Sequence, residues 1–473
     1  MEYIENQTFD EIAIGASASL SRTLNQQDIQ LFAVMSGDVN PAHLDEEYAR
    51  SDMFRKIIAH GMWGGALIST LLGTKLPGPG TIYLGQTLRF RRPVALGDTV
   101  TVSVKAVEKE PEKRRVTFEC QCVNQNGDVV ITGTAEVLAP AEKVKRPRAI
   151  LPDVYLHDRG ARYRQLITLA QGLEPIRMAV AQPTDRGTLL GLAEASRAGL
   201  VVPILVGPPE AIRAAAAEAE VDIAGYRLIA TDRFSEAIAF AAAMCRAGDA
   251  EALMLGVAGN TQLTTFIQAI IARETRLGDG HRMSHVYAMD VPTYPRPLFI
   301  TDAVLNATPD LETKRAIVQN AIDLLRVLGA PEPKVAILSA VETVNPQIRS
   351  TLDAAALCKM VDRGQIHGGI VDGPLSFDSA VSEAAAKAEG TVSPVAGRAD
   401  ILVAPDLESG SLLTEQLEYM AEAQSAGLVL GARVPIVLNS RTDRPLSQQA
   451  ACALALLLAR RRHDAKVLER PAA

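Results

Sequence analysis

Two patterns of apolar and polar positions meet in this 473-residue chain. Between residues 81 and 139, four runs rich in β-branched residues alternate partially between apolar and polar: TIYLGQTLRFRRPV, DTVTVSVKAVEKE, RRVTFECQCVNQ and DVVITGTAEVLA. Such alternation marks strands with one buried face. Turn formers separate them (Pro77-Gly78-Pro79-Gly80, Gly97-Asp98, Asn126-Gly127-Asp128), so the pattern predicts an antiparallel meander. One apolar run, Trp63 to Leu72, precedes the strands and reads as a helix against the sheet, an α+β layer architecture. From about residue 160 the runs shorten to MAVAQ, VPILVG, LMLGV, PLFITDA, KVAILSAV, GGIVDG, ILVAPD and PIVLNS, separated by alanine-rich helical segments. That alternation predicts parallel α/β sheets covered by helices on both faces, with ligands in loops at the strands' C-terminal ends.

The break between the patterns places a first domain at 1–140, a linker at 141–160 and a second domain at 161–473. The linker carries proline and the basic run KVKRPR (Lys143 to Arg148), read as solvated. The net charge of −7 argues against nucleic acid as a partner, because phosphate backbones need a basic face. No apolar run approaches the roughly 20 residues of a membrane span, and the start, MEYIENQTFDEI, lacks a signal-peptide pattern. Five cysteines, an odd number, fit reduced thiols and a cytoplasmic location. Cys120 and Cys122 share one strand face with no second ligand pair, so no metal site is expected there or elsewhere. Neither GxGxxG after a strand nor GxxxxGK[ST] occurs, which removes the dinucleotide and P-loop readings.

Chemistry concentrates in SGDVNPAHLD and IIAHGMW, residues 36–45 and 57–63. Asp38 and His43 stand five residues apart around the Asn40-Pro41 turn, and Gly61 opens the apolar helix. A carboxylate and an imidazole on one short loop can together activate water. A glycine at a helix start presents a bare N–H to a developing oxyanion. The plainer alternatives are that Asp38 caps a turn and that His43 and His60 are structural. These residues, with LPGPGTIYLGQTLRF and PVALGD, resemble the MaoC-like, R-specific enoyl-CoA hydratases of the hot-dog fold over residues 8–140. The resemblance implies that Asp38 and His43 hold and deprotonate the attacking water and that Gly61 contacts the thioester oxygen; Asn40 is expected with Gly61 in oxyanion or substrate binding. It implies a hydroxyl, Ser69, near the dyad; the alternative for a serine inside a helix is a bond back to its own backbone.

The second half resembles the phosphate acetyl/butyryltransferases from about residue 160 to the end. The resemblance rests on SHVYAMDVPTYPRPLFITDAVLNATPDLETK, KVAILSAVETVNPQIRSTLDAAALCKM, RGQIHGGIVDGPLSFDSAVS and VPIVLNSRTD. It implies an α/β phosphotransacylase fold of two subdomains around a cleft, and acyl transfer between coenzyme A and inorganic phosphate. Those two are substrates, with no tightly bound cofactor. Ser440 and Arg441 match the family's pair at a strand end, with Asp443 following. Several ligand-loop positions depart from the pattern: Leu255 to Asn260, Gln268, Ser409 to Ser411, and the intruding Arg444 and Pro445. Two readings therefore stand. One is a bifunctional acyl-CoA enzyme; the other is a hydratase whose transferase-like domain only binds CoA or builds the oligomer. Both families imply a homodimer or larger homo-oligomer.

Overall fold

The computed structural model describes the chain except residues 1, 153, 155, 157, 257–259, 273–276, 279–281, 439–443 and 469–473, and the side chains of 260 and 462–468. The chain divides into two units, 1–156 and 157–473. In the first, five antiparallel strands lie in the order Ser17–Thr23, Thr99–Glu110, Arg115–Val123, Val129–Leu138, Ile82–Phe90. The four strands expected from alternation are present. The fifth, SASLSRT, alternates with Ala18 and Leu20 toward the core, but one leucine among small and polar residues gives a weak apolar signal.

The helix Gly61–Thr74 packs against one face of this sheet. Its Trp63, Leu67, Ile68, Leu71 and Leu72 are buried with Val100, Val102, Val104 and Phe118 of the strands in one core. Each such side chain taken from water contributes about 1.5–3 kcal/mol of transfer free energy. The basic run read as linker is not freely solvated. Lys145–Pro147 forms a short strand on Tyr3–Glu5, and Lys143, Lys145 and Arg148 pair with Glu5, Glu11 and Glu2 at the N-terminus. The acidic start and the basic run, over a hundred residues apart, complement each other in charge.

The second unit is built on one sheet of eleven strands. Five parallel strands form one wing: Arg227–Ala230, Val201–Gly207, Ile176–Ala181, Ala252–Leu255 and Ile436–Leu438. Four parallel strands form the other: Leu298–Thr301, Ile401–Val403, Lys334–Leu338 and Ile370–Leu375. Gln424–Leu430 and Ser284–Asp290 join the wings in antiparallel pairing. The wings correspond to the two expected subdomains; the antiparallel centre differs from the purely parallel expectation. The helix Pro445–Leu468 is apolar on all sides from Ala450 to Leu458, and this stretch is buried throughout.

One central strand carries a histidine in an apolar setting. His285 is fully buried, neither ring nitrogen has a hydrogen-bond partner among the described residues, and Tyr287 packs edge-on at 4.4 Å. Burial pushes its pKa down to about 3. The unfolded chain therefore binds a proton between pH 6.5 and 3 that the folded chain refuses, so this contribution is complete above pH 6.5 and declines as pH falls. Lowering pH from 7 to 5 is expected to remove about 2 kcal/mol through this group. His285→Phe should flatten that part of the decline in urea midpoints measured against pH; an unchanged pH slope would show that His285 is not the cause.

The cysteines are unpaired. Burial raises the thiols of Cys122, Cys245 and Cys452 to about 12, and those of Cys120 and Cys358 to about 11. Two pKa units reduce the thiolate fraction at pH 8 about 100-fold, and the thiolate is the nucleophile. Iodoacetamide at pH 8 should leave the native chain almost unlabelled while labelling five thiols after denaturation. A rapidly labelled native cysteine would contradict this placement.

Candidate active site

The Asp38 loop is shaped by its own polar residues. The helix Gln26–Ser36 is opened by a capping box between Asn25 and Asp28 and ended by Gly37 in the left-handed region at φ 75°. Ser36 Oγ then accepts from the Asp38 amide at 3.2 Å, and Asp38 Oδ1 accepts from the Asn40 amide at 3.2 Å. Asn40 Oδ1 accepts from the Ala42 amide at 3.1 Å and caps the short helix Pro41–Leu44, which carries His43. Asn40 is thus an exposed cap that shapes the loop between the two candidate groups.

His43 is buried, and its Nδ1 lies 2.9 Å from the Ile58 carbonyl. A carbonyl only accepts, so Nδ1 carries the proton and the Nε2 lone pair is left to act as a base. His60 lies against it, with ring centroids 4.0 Å apart, and stacks on Phe32 at 4.9 Å on its other side. His60 Nε2 is 3.1 Å from the backbone carbonyl of Asp38 and so ties that loop to the start of the helix Gly61–Thr74. One ligating atom each of Asp38, His43 and His60 lie within 4.8 Å of one another.

His43 and His60 line a cavity of about 310 Å³ together with Gly61, Trp63, Phe90 and Ile131, with Arg91 and Arg92 also on its wall; Asp38 stands outside this lining, beside the two imidazoles. Two glycines keep it open. A Cβ at Gly61 would lie 3.2 Å from the Phe90 ring, and one at Gly64 would lie 2.3 Å from Ile131 Cδ1. No side chain caps the N-terminus of this helix at His60, and the Gly61 amide is among the first-turn donors that have no partner inside the helix. The positive end of the helix therefore meets the cavity.

Ser69 does not join this group. It is solvent-exposed, does not line the cavity, and sits eight residues beyond Gly61, about 12 Å along the helix axis. Conversely, His60 lines the cavity although the sequence suggests a structural role for it; the signal available was an imidazole placed directly before the helix-opening glycine.

In the second unit, Ser440, Arg441 and Asp443 lie outside the described residues. Their strand, Ile436–Leu438, is parallel to Ala252–Leu255, which is parallel to Ile176–Ala181. The C-terminal ends of these three strands, at Leu438, Leu255 and Ala181, therefore lie side by side on one edge of the sheet. The backbones are close there: a Cβ at Gly256 would lie 2.4 Å from the Gln182 carbonyl. Asp372 accepts from the Gly373 amide. Asp378 accepts from Ser376 Oγ, which holds its carboxyl below the usual range. Both act as local turn caps. Gln268 is exposed on the helix Asn260–Ile271, and Ser409 is engaged in capping by Asp406.

A helix laid against an antiparallel sheet with an Asp-His-His cluster beside its cavity, followed by a two-winged α/β sheet, defines a fusion of a hot-dog domain with a phosphotransacylase-type domain. Comparison with known proteins agrees. The family described as MaoC like domain matches residues 11–126, and that described as Phosphate acetyl/butaryl transferase matches residues 227–455. A phosphate acetyltransferase of Rhizobium meliloti is 49% identical over 307 residues, covering 65% of this chain and 96% of that protein. A branched-chain phosphotransacylase from Enterococcus faecalis is 26% identical, covers 60% of this chain and 99% of its own, and superposes with a TM-score of 0.52. An unliganded R-hydratase from Pseudomonas aeruginosa is 47% identical over 33% of this chain and 99% of its own, with a TM-score of 0.32. The chain belongs to the phosphate acetyl/butyryltransferase family and carries a MaoC-like domain ahead of that part. Among the described residues, no helix is long and apolar enough to cross a membrane.

Proposed function

We propose that this chain is a bifunctional enzyme of acyl-CoA metabolism. Its first unit adds water to short trans-2-enoyl-CoA, giving (R)-3-hydroxyacyl-CoA, and its second exchanges an acyl group between CoA and inorganic phosphate. The observation that carries the hydratase half is the Nδ1–Ile58 bond of His43, which in the neutral ring makes Nε2 the acceptor, with Asp38 close by and Gly61 on the wall of the cavity that His43 lines. Water donates one hydrogen to Asp38 and one to His43 Nε2. Its oxygen bonds to C3 as the C2–C3 π electrons move onto the thioester oxygen as an enolate, with the proton passing to the dyad. The Gly61 N–H stabilises that oxygen, a contribution of about 3–4 kcal/mol for one well-placed donor. Collapse of the enolate takes a proton back from the dyad at C2, so atoms balance and the dyad is restored.

In the second unit the CoA thiolate attacks the acyl phosphate carbonyl, phosphate leaves, and Arg441 binds the phosphate through two parallel hydrogen bonds. Ser440 donates to the transferring group and Asp443 orients the thiol or the arginine. Catalysis of this kind is positioning and charge stabilisation, with no bound cofactor. The chain works as a closed homo-oligomer. One observation favours the second reading, a non-catalytic transferase-like domain: Gln268, where the family carries an arginine, is an exposed neutral residue. Phosphate-dependent release of CoA from acetyl-, propionyl- or butyryl-CoA by the full chain decides between them, with crotonyl-CoA hydration in the same preparation as the folding control. Absence of hydration in a folded chain would overturn the first half, and absence of release the second.

A further inference from the structure

We propose that Asp38, His43 and His60 form a binding site for a divalent transition cation, best matched by Zn²⁺, whose occupancy blocks hydration. The blocking rests on the hydratase reading above; the binding does not. Donors and acceptors do not balance at this cluster. His43 donates through Nδ1 to Ile58, so its Nε2 only accepts. His60 lies with Nε2 against the Asp38 carbonyl, so that nitrogen carries the proton and Nδ1 is the acceptor. That Nδ1 is buried and has no hydrogen-bond partner, in a side chain only 3% exposed. The Asp38 carboxylate is a third acceptor. Asp38 is exposed and its Oδ1 already accepts from the Asn40 amide, so the group left without a donor among the described residues is His60 Nδ1, and a buried unpaired acceptor is unfavourable. A cation satisfies all three.

The geometry permits it. Three atoms within 4.8 Å of one another have a common point no farther than 4.8/√3, about 2.8 Å, from each. Zinc bonds to imidazole nitrogen and carboxylate oxygen at about 2.0–2.2 Å, so inward movements of about 0.7 Å complete the set. Two nitrogens and one oxygen suit zinc and its neighbours and disfavour magnesium and calcium, which take oxygen ligands. The Asp38 loop is exposed, so the ion has access. The Ile58 carbonyl on His43 Nδ1 and the Asp38 carbonyl on His60 Nε2 are the outer partners that orient ligating imidazoles. Once His43 Nε2 and Asp38 ligate a cation, neither can take the proton from water or return one to C2.

The test uses the untagged full chain, stripped of metal with a chelator. Zn²⁺ is titrated against a chromophoric chelator, and Co²⁺ is added separately to read the coordination from its visible spectrum. The expected result is one ion per chain, bound at least tenfold more weakly in His60→Ala and in Asp38→Ala. Crotonyl-CoA hydration should fall along the Zn²⁺ binding curve and return with EDTA. Asp38→Ala sits on an exposed loop and guards against a folding failure of the buried histidine variant. No binding, or binding unchanged in both variants, would overturn the site. Binding at the site with undiminished or increased hydration would overturn the blockade. Loss of hydration in Asp38→Asn without any zinc binding to the parent chain would defeat this inference and leave the hydratase reading standing.

Discussion

Asp38→Asn is expected to hydrate crotonyl-CoA at least 100-fold more slowly than the parent chain, with its melting behaviour unchanged. The size follows from the role. Removing a positioned general acid–base group typically costs about 10²–10⁴-fold, and an amide neither takes a proton from water nor supplies one to C2. The fold should survive because Asp38 is exposed and its packing load is small. Its structural work is one bond from the Asn40 amide to Oδ1, which an asparagine Oδ1 also accepts. His43→Ala should lose activity on a similar scale, though it also opens space beneath Ile58. Ser69→Ala should leave hydration within about twofold, because Ser69 is exposed and stands outside both the cavity lining and the Asp38, His43 and His60 cluster. Near-parental hydration by Asp38→Asn would remove the dyad from the mechanism.

Arg441→Ala is expected to abolish phosphate-dependent release of CoA, by at least 100-fold, while hydration stays at the parental rate. A bidentate arginine–phosphate contact is a charge-assisted pair whose loss leaves the leaving group uncompensated. Preorganised charge of this kind commonly does more than any other effect to lower the barrier of such transfers. Arg441→Lys should recover little, since a lysine supplies a point charge in place of a planar fork. If the alanine variant released CoA at the parental rate, the Ser440-Arg441 pair would not be the phosphate site.

Much of this organisation is legible in the residues, and the exceptions have physical causes. All eight apolar runs read in the second half are strands of the two parallel wings, where burial on both faces makes each strand a continuous apolar stretch. The missed central strands carry polar or small residues at buried positions, such as His285 and Asp290 in SHVYAMD and Ser425 and Gly427 in QSAGLVL. Each holds only a short apolar stretch, Val286 to Met289 and Ala426 to Leu430, and their pairing is antiparallel, outside the strand–helix alternation of the wings. The basic run at 143–148 resists reading for a different reason, because its acidic partners lie at the other end of the domain.

The Asp38 and His43 loop is legible because turn formers hold both groups within five residues. His60 is less so. Its place in the site depends on stacking between His43 and Phe32, which come from separate segments. Ser69 is placed near the dyad by resemblance alone; in this chain it is exposed and outside the cavity lining.

If one chain carries two separate acyl-CoA sites, the most direct measurement is a crossed assay of Asp38→Asn and Arg441→Ala in parallel preparations. Each is assayed for crotonyl-CoA hydration and for phosphate-dependent release of CoA from butyryl-CoA. The expected pattern is reciprocal: Asp38→Asn loses only hydration, and Arg441→Ala loses only release. Loss of both activities in either variant, in a chain that still melts as the parent does, would contradict two separate sites.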